Sequence, residues 1–288
     1  MMLDPHGLGS RACAGSFRIT MLALAALGLA CAALPVLVIV VMSFSGGTTL
    51  DFPPQSLSLR WYEAAFDVLR SGDGDGGGTG ALDALLASLG VCAITMILSV
   101  TACLPLAYLL VRRGGAWRVW TEQLFGLPLV FPLVVLGLAY LLMAETLARG
   151  TGIELGLWRL AIPHLTLALP FVLRNVMSAM HGIGPELEEA AQTLGAPPWR
   201  AAIDVVLPLL KPGVIAGAVF AFIVSFNEFT LSFFLYTVDA STLPIWMFSR
   251  TVSSLDPTTL AIATLIIAID VALIACVDRF VARQGRLF

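Results

Sequence analysis

The sequence predicts an all-α integral membrane protein with about six transmembrane helices, and three observations carry that expectation. Hydrophobic residues make up 58% of the 288-residue chain and charged residues 12%, with a mean hydropathy of +0.92. That is more apolar surface than a soluble domain of this length can hide. The apolar residues gather into six runs, each close to the roughly 20 residues that a hydrocarbon core about 30 Å thick demands of a helix. Strand-like alternation is absent over these lengths, which removes a β-barrel from contention.

The first run, residues 19–43, follows Arg11 and Arg18 in the manner of a signal peptide, yet it exceeds the roughly 7 to 15 apolar residues of a signal core. It is read as a retained span behind a cytoplasmic N-terminal tail, 1–18, so that residues 19–288 form the membrane domain. The longest outer loop, 44–81, comes next. Within it, "SLSLRWYEAAF" reads as a short interfacial helix with Trp61 and Tyr62 at the headgroup level. "SGDGDGGGTG", 71–80, reads as a flexible linker, because a phosphate cradle needs a preceding strand and a following Lys-Ser or Lys-Thr.

The remaining spans fall at 82–111, 120–143, 158–180, 213–236 and 259–281. Pro35, Pro105, Pro128, Pro132, Pro163 and Pro170 lie inside the six runs and predict kinks that neighbouring helices accommodate. Arg11, Arg18, Arg112, Arg113, Arg118, Arg174, Arg200, Lys211, Arg279, Arg283 and Arg286 fall on one side, against Arg60, Arg70, Arg149, Arg159 and Arg250 on the other. The excess of positive charge assigns the first side, with both termini, to the cytoplasm.

Between the fourth and fifth spans lies a polar interlude, 181–212, with a helical grammar of its own. Gly184 and Pro185 suit an N-cap and first helical position, and Glu186, Glu188 and Glu189 occupy the first turns, where the positive helix end favours anions. Leu187, Ala190, Ala191 and Leu194 form one apolar stripe, and Gly195 is placed to end the helix in a left-handed conformation. Pro197 or Pro198 opens a second helix, whose apolar face runs through Trp199, Ile203 and Val206 until Pro208 ends it. On pattern alone, two readings stand: a linker resting on the membrane surface, and a docking site for a soluble partner.

The fifth span carries Glu228 among Asn227, Ser225, Thr230 and Ser232. An acid at that depth is costly and so marks a candidate pathway; the alternative is a structural hydrogen bond to a neighbouring helix. Asp270, with only apolar neighbours in sequence, reads as an interhelical contact. The five cysteines, Cys13, Cys31, Cys92, Cys103 and Cys276, lack metal or disulfide spacing and read as small packing residues. His6, His164 and His181 are scattered and read as caps or satisfied packing residues. The only lysine, Lys211, stands between Leu210 and Pro212, so the chain carries no P-loop.

"EAAQTLGAPPWRAAIDVVLP" resembles the EAA signature of type I ABC importer permeases through Glu189-Ala190-Ala191, Gly195 and Val205-Val206-Leu207-Pro208, with Val205 where that family usually has Ile. The resemblance extends from about Arg60 to the C-terminus. It implies the type I ABC importer permease fold, with 181–212 as a coupling loop seated in an ATPase cleft by Glu189, Ala190, Ala191, Gly195, Leu207 and Pro208. "SLRWYEAAF", "FIVSFNEFTLSFFL" and "TLPIWMFS" are similar to the spermidine/putrescine branch, whose relatives carry other amines, aminophosphonates and iron. Where polyamine permeases often show an acidic pair, this chain has Asn227-Glu228, one negative charge fewer, and these two residues are the candidate substrate pathway.

What the resemblance implies about partners follows. They are two cytoplasmic ATP-binding subunits holding ATP and Mg, a second permease subunit in a hetero- or homodimer, an extracytoplasmic solute-binding protein and membrane lipid. The chain itself would hold no cofactor, bind no nucleic acid and be a multi-pass protein of the bacterial inner membrane. The competing expectation is an ion-gradient-driven secondary transporter using Glu228 and Asp270.

Overall fold

A computed structural model describes residues 7–48, 51–71, 80–238, 240–253 and 257–284. Among these, helices account for nearly all regular structure, and isolated antiparallel bridges join Ser45 to Leu57 and Thr237 to Ala240. The helices are α1 (Gly7–Ser43), α2 (Arg60–Ser71), α3 (Ala81–Arg113), α4 (Ala116–Gly126), α5 (Leu133–Thr151) and α6 (Trp158–His181). They continue with α7 (Glu186–Thr193), α8 (Pro198–Ala201), α9 (Leu207–Phe226), α10 (Thr230–Leu235), α11 (Leu243–Ser253) and α12 (Pro257–Gln284). Six stretches are long and apolar enough to cross a membrane: Phe17–Ser43, Ala81–Arg113, Leu133–Thr151, Trp158–His181, Pro198–Phe226 and Pro257–Val281.

From Gly7 the chain is already helical, continuous with the first span. Two expectations require correction. The third span is not 120–143: Pro128 and Pro132 end one helix and start another, so α4 stops at Gly126, a 3-10 turn covers Leu127–Leu129, and α5 begins after Pro132. Proline lacks the N–H that an interior turn requires, and two of them four residues apart break the ladder rather than bend it. The fifth span is not 213–236 either, since its helical stretch begins at Pro198 and ends at Phe226. Residues 1–6 and most of the glycine linker, 72–79, lie outside the described residues.

The chain divides into two compact units, one of residues 1–65 and 255–265 and one of 66–254 and 266–288. In the first, the chain folds back after α1. Gly46 N–H donates to Ser56 O (2.8 Å), Ser58 N–H to Phe44 O (2.7 Å) and Arg60 Nη2 to Gly47 O (2.9 Å). Tyr62 reaches back to Ser43, its hydroxyl 2.7 Å from Oγ and its ring 5.1 Å from that of Phe44. The predicted interfacial helix is thus α2, with Tyr62 tied to the end of α1 and the Arg60 guanidinium stacked 4.2 Å over the Trp61 ring.

In the second unit α3, α6 and α9 each touch the other two. Lipid tails are as apolar as leucine, so helices in a bilayer associate through close packing rather than through water exclusion. The seam is accordingly made of small residues: Gly213 sits against the Asn175 carbonyl and Ala179, and Gly217 against Val172, where any Cβ would crowd. Cys103, Ala107, Ala168 and Ala221 are buried beside Leu110, Leu173, Val176 and Met177. Cys92 and Cys103 are packing residues as expected, whereas Cys31 and Cys276 are exposed. Gly137 on α5 leaves room for the Phe234 ring of α10.

Candidate functional site

The two regions singled out by sequence sit at opposite ends of α9. At one end, α7 begins one position later than the sequence suggests, with Pro185 as its N-cap. Its far end closes as the glycine pattern requires. Gly195 has φ +93°, its N–H bonds to Gln192 O (2.9 Å), and Ala196 N–H bonds to Ala191 O (3.1 Å). These are the two bonds of a Schellman motif, and only glycine adopts that conformation without strain. Pro197 then caps α8 and Pro198 opens it.

Pro208 does not end the second helix. Residues Ala202–Val206 form a π-helical turn in which Leu207 N–H reaches back five residues to Ala202 O, and α9 follows without interruption. In a regular helix the Pro208 ring would strike the carbonyl of residue 204, and the widened turn relieves that clash. Leu207 and Pro208 therefore belong to the start of a membrane helix, and α8, the π turn and α9 form one rod. Beside the turn, Leu104 and Tyr108 of α3 and Ile203, Val206 and Leu207 line an apolar groove of about 300 Å³.

The loop is anchored by a residue that the sequence did not single out. Glu188 is 5% exposed. Its carboxylate takes the Arg112 Nε–H on Oε1 and the Tyr108 hydroxyl on Oε2 (2.8 Å), and Arg112 Nη2 donates to Ile183 O (3.0 Å). A buried carboxylate needs such a charged, hydrogen-bonded partner. This network ties α7 to the end of α3. Glu189, by contrast, is exposed together with Ala190 and Gly195, while Ala191 is half-buried. The apolar side chains around them also face outward: Leu187 is 48% exposed, Leu194 90% and Trp199 64%.

At the other end of α9 the expected polar stripe on a continuous helix is replaced by a break. α9 stops at Phe226, the chain leaves the helix over residues 227–229, and α10 starts at Thr230. Glu228 lies in that break. Its Oε1 accepts Leu231 N–H (2.8 Å), which caps α10. Asn227 is exposed and its Nδ2 donates to Asp270 Oδ2 (2.8 Å), which ties the break to α12 beside Glu228 in the chain. Asp270 lies about 20 Å along α12 from Pro257 at 1.5 Å per residue, which puts the break within the depth of a bilayer.

His164 of α6 is fully buried against the same break, with Nδ1 2.9 Å from Ser225 Oγ and Nε2 2.9 Å from Ser232 Oγ. Phe229 completes the surroundings with ring contacts to Phe233 (5.5 Å) and Phe248 (5.0 Å). His181 bonds Met177 O, a local helix contact, and His6 lies outside the described residues. Among the described residues no group of His, Cys, Asp and Glu is arranged to hold a metal ion.

Comparison with known proteins places these features in a family. The family described as "Binding-protein-dependent transport system inner membrane component" matches residues 93–286. The Putrescine transport system permease protein PotI of Escherichia coli (strain K12) is 28% identical over 240 residues, which cover 81% of this chain and 80% of that protein. The Molybdenum transport system permease protein ModB of the same organism is 36% identical over 157 residues, 51% of this chain and 68% of that protein. The crystal structure of a bacterial ABC transporter involved in the import of the acidic polysaccharide alginate superposes with a TM-score of 0.60 at 17% identity, covering 98% of this chain and 99% of that one. At that identity the superposition speaks for the fold alone.

Proposed function

Because the chain belongs to the family of binding-protein-dependent transport system inner membrane components, and is the multi-pass permease subunit of an ABC importer, we propose that its 181–212 segment is the joint through which partner ATPases drive it. The observation that carries this reading is the division of labour within α7. Glu188 is buried and binds the segment to α3, while Glu189 and Leu187 on the same short helix and Leu194 at its C-cap face outward. A passive linker on a membrane surface has no need for an internal ion pair to hold a charged and apolar face toward the cytoplasm. Glu189 is the polar anchor, Ala190 and Ala191 allow close approach, Gly195 makes the turn, and Leu207 and Pro208 pass the motion into α9.

In this reading both termini and the segment are cytoplasmic, and two ATPase subunits supply the nucleotide chemistry for which this chain has no P-loop. A second permease subunit, identical or not, completes the passage, and a solute-binding protein delivers the cargo from outside. Domain boundaries follow as a cytoplasmic N-terminal tail, 1–18, and a permease domain, 19–288. Asn227 and Glu228 line the pathway, and the Glu228 carboxylate favours a cationic or amine-bearing solute, in keeping with the putrescine named for the PotI relative rather than the molybdenum named for ModB.

The test is a pull-down of the ATPase subunits with Glu189→Ala and Gly195→Val, paired with substrate-stimulated ATPase activity of the reconstituted complex. Both variants are expected in the membrane at normal levels with ATPase binding and stimulation lost. If both bind the ATPases and transport normally, the segment is a surface linker and the reading is wrong.

A further inference from the structure

We propose that His164 is a positioning residue for Glu228, fixing the break between α9 and α10 from its seat on α6; the inference rests on the pathway reading of Glu228. Ser225 and Ser232 are seven residues apart, and in an unbroken helix they would lie two turns apart on one face, separated by about 10.5 Å. A single imidazole bonding at both nitrogens spans about 8 Å between its two partners. It reaches both hydroxyls here, each at 2.9 Å, because the chain leaves the helix between them. The break thus lets one ring bond both hydroxyls, and the Ser232 side is the one that continues onto the backbone of Glu228.

The neutral ring donates at one nitrogen and accepts at the other, and Ser232 Oγ also lies 3.1 Å from the Glu228 carbonyl. A line of bonds runs from the last turn of α9, through the ring, to Ser232 and onto the backbone of Glu228. All three side chains are buried: His164 is 1% exposed, Ser225 2% and Ser232 0%. On the far side Asn227 is held to Asp270, so residue 228 is pinned from both directions while its carboxylate caps Leu231.

A histidine that merely fills space and a histidine that positions Glu228 respond differently to amide substitution. Gln places its terminal amide near Nε2 and can keep the bond to Ser232, whereas Asn reaches only the Nδ1 position and keeps the Ser225 side. The experiment measures the modification rate of E228C by a cationic methanethiosulfonate reagent in the assembled complex, with the parental chain and its five native cysteines as the blank. His164→Gln and Ser225→Ala should leave the rate within about twofold of E228C alone. His164→Asn and Ser232→Ala should change it by roughly three- to tenfold, the factor set by one net hydrogen bond.

Thermal stability of the four variants is the internal control: a space-filling role would order them by side-chain volume, not by which bond each retains. Equal modification rates in all four backgrounds would overturn the inference while leaving the pathway reading intact. An E228C that resists the reagent in the otherwise native chain would overturn the pathway reading and the inference with it.

Discussion

Adjacent glutamates in α7 have opposite fates, and the contrast predicts opposite phenotypes. Glu188 is paired with Arg112 in a setting where removing one partner strands a buried charge, at a cost of about 3 to 5 kcal/mol. Glu188→Ala should therefore lower the melting temperature of the purified protein, and Glu188→Gln, which can still accept from Tyr108, should lower it less. Glu189 is exposed, and Glu189→Ala should leave stability within about 0.5 kcal/mol while affecting coupling. A stability loss for Glu189→Ala equal to that for Glu188→Ala would contradict this assignment. In the break, Glu228→Gln keeps shape and removes charge. It should reduce uptake of a cationic solute roughly tenfold or more, as expected for a hydrogen bond to a charged group, with ATPase binding unaltered. Unchanged uptake would remove Glu228 from the pathway.

Among the elements, the π turn at Ala202–Val206 is the one whose geometry can be tested by length. Leu207 N–H spans five residues to Ala202 O where an α-helix spans four, so the turn holds one residue more than the helix on either side requires. Deleting Ile203 should convert it to α-helix and return the Pro208 ring to the carbonyl four residues before it, so that the rod kinks at this point. Insertion into the membrane is then expected to persist, while pull-down of the ATPase subunits weakens because α7 and α8 are displaced from α9. Normal ATPase binding in the deletion variant would show that the turn is incidental. The small-residue seam offers a second check: Gly213→Leu must displace Ala179 and the Asn175 carbonyl, and reduced yield of folded protein is the expected result.

For the whole molecule, membership of an importer family predicts uptake that stops when ATP is withdrawn from inside-loaded proteoliposomes. Uptake that continues without ATP and collapses with the ion gradient would refute that prediction. Much of this architecture was legible in the sequence, because six apolar runs are set by bilayer thickness and need no knowledge of tertiary contacts. The segment 181–212 was legible in its turns for a related reason: Gly195, Pro197 and Pro198 act locally. Glu188 was not, since Arg112 lies 76 residues away and only the packing of α3 brings it near. The break at 227–229 was also hidden, as Asn-Glu-Phe contains neither glycine nor proline and is held open by His164 and Asp270 from other helices. The third span moved because two prolines outweighed an apolar run that looked continuous by composition. The unbroken rod from Pro198 to Phe226 has a consequence for timing. With about 43 Å of helix and no joint at Pro208, a push on Trp199 arrives at Asn227 as the same displacement. Under the proposed coupling, the stroke that engages nucleotide and the stroke that moves the break are then one event, so no intermediate is expected in which either end has switched alone.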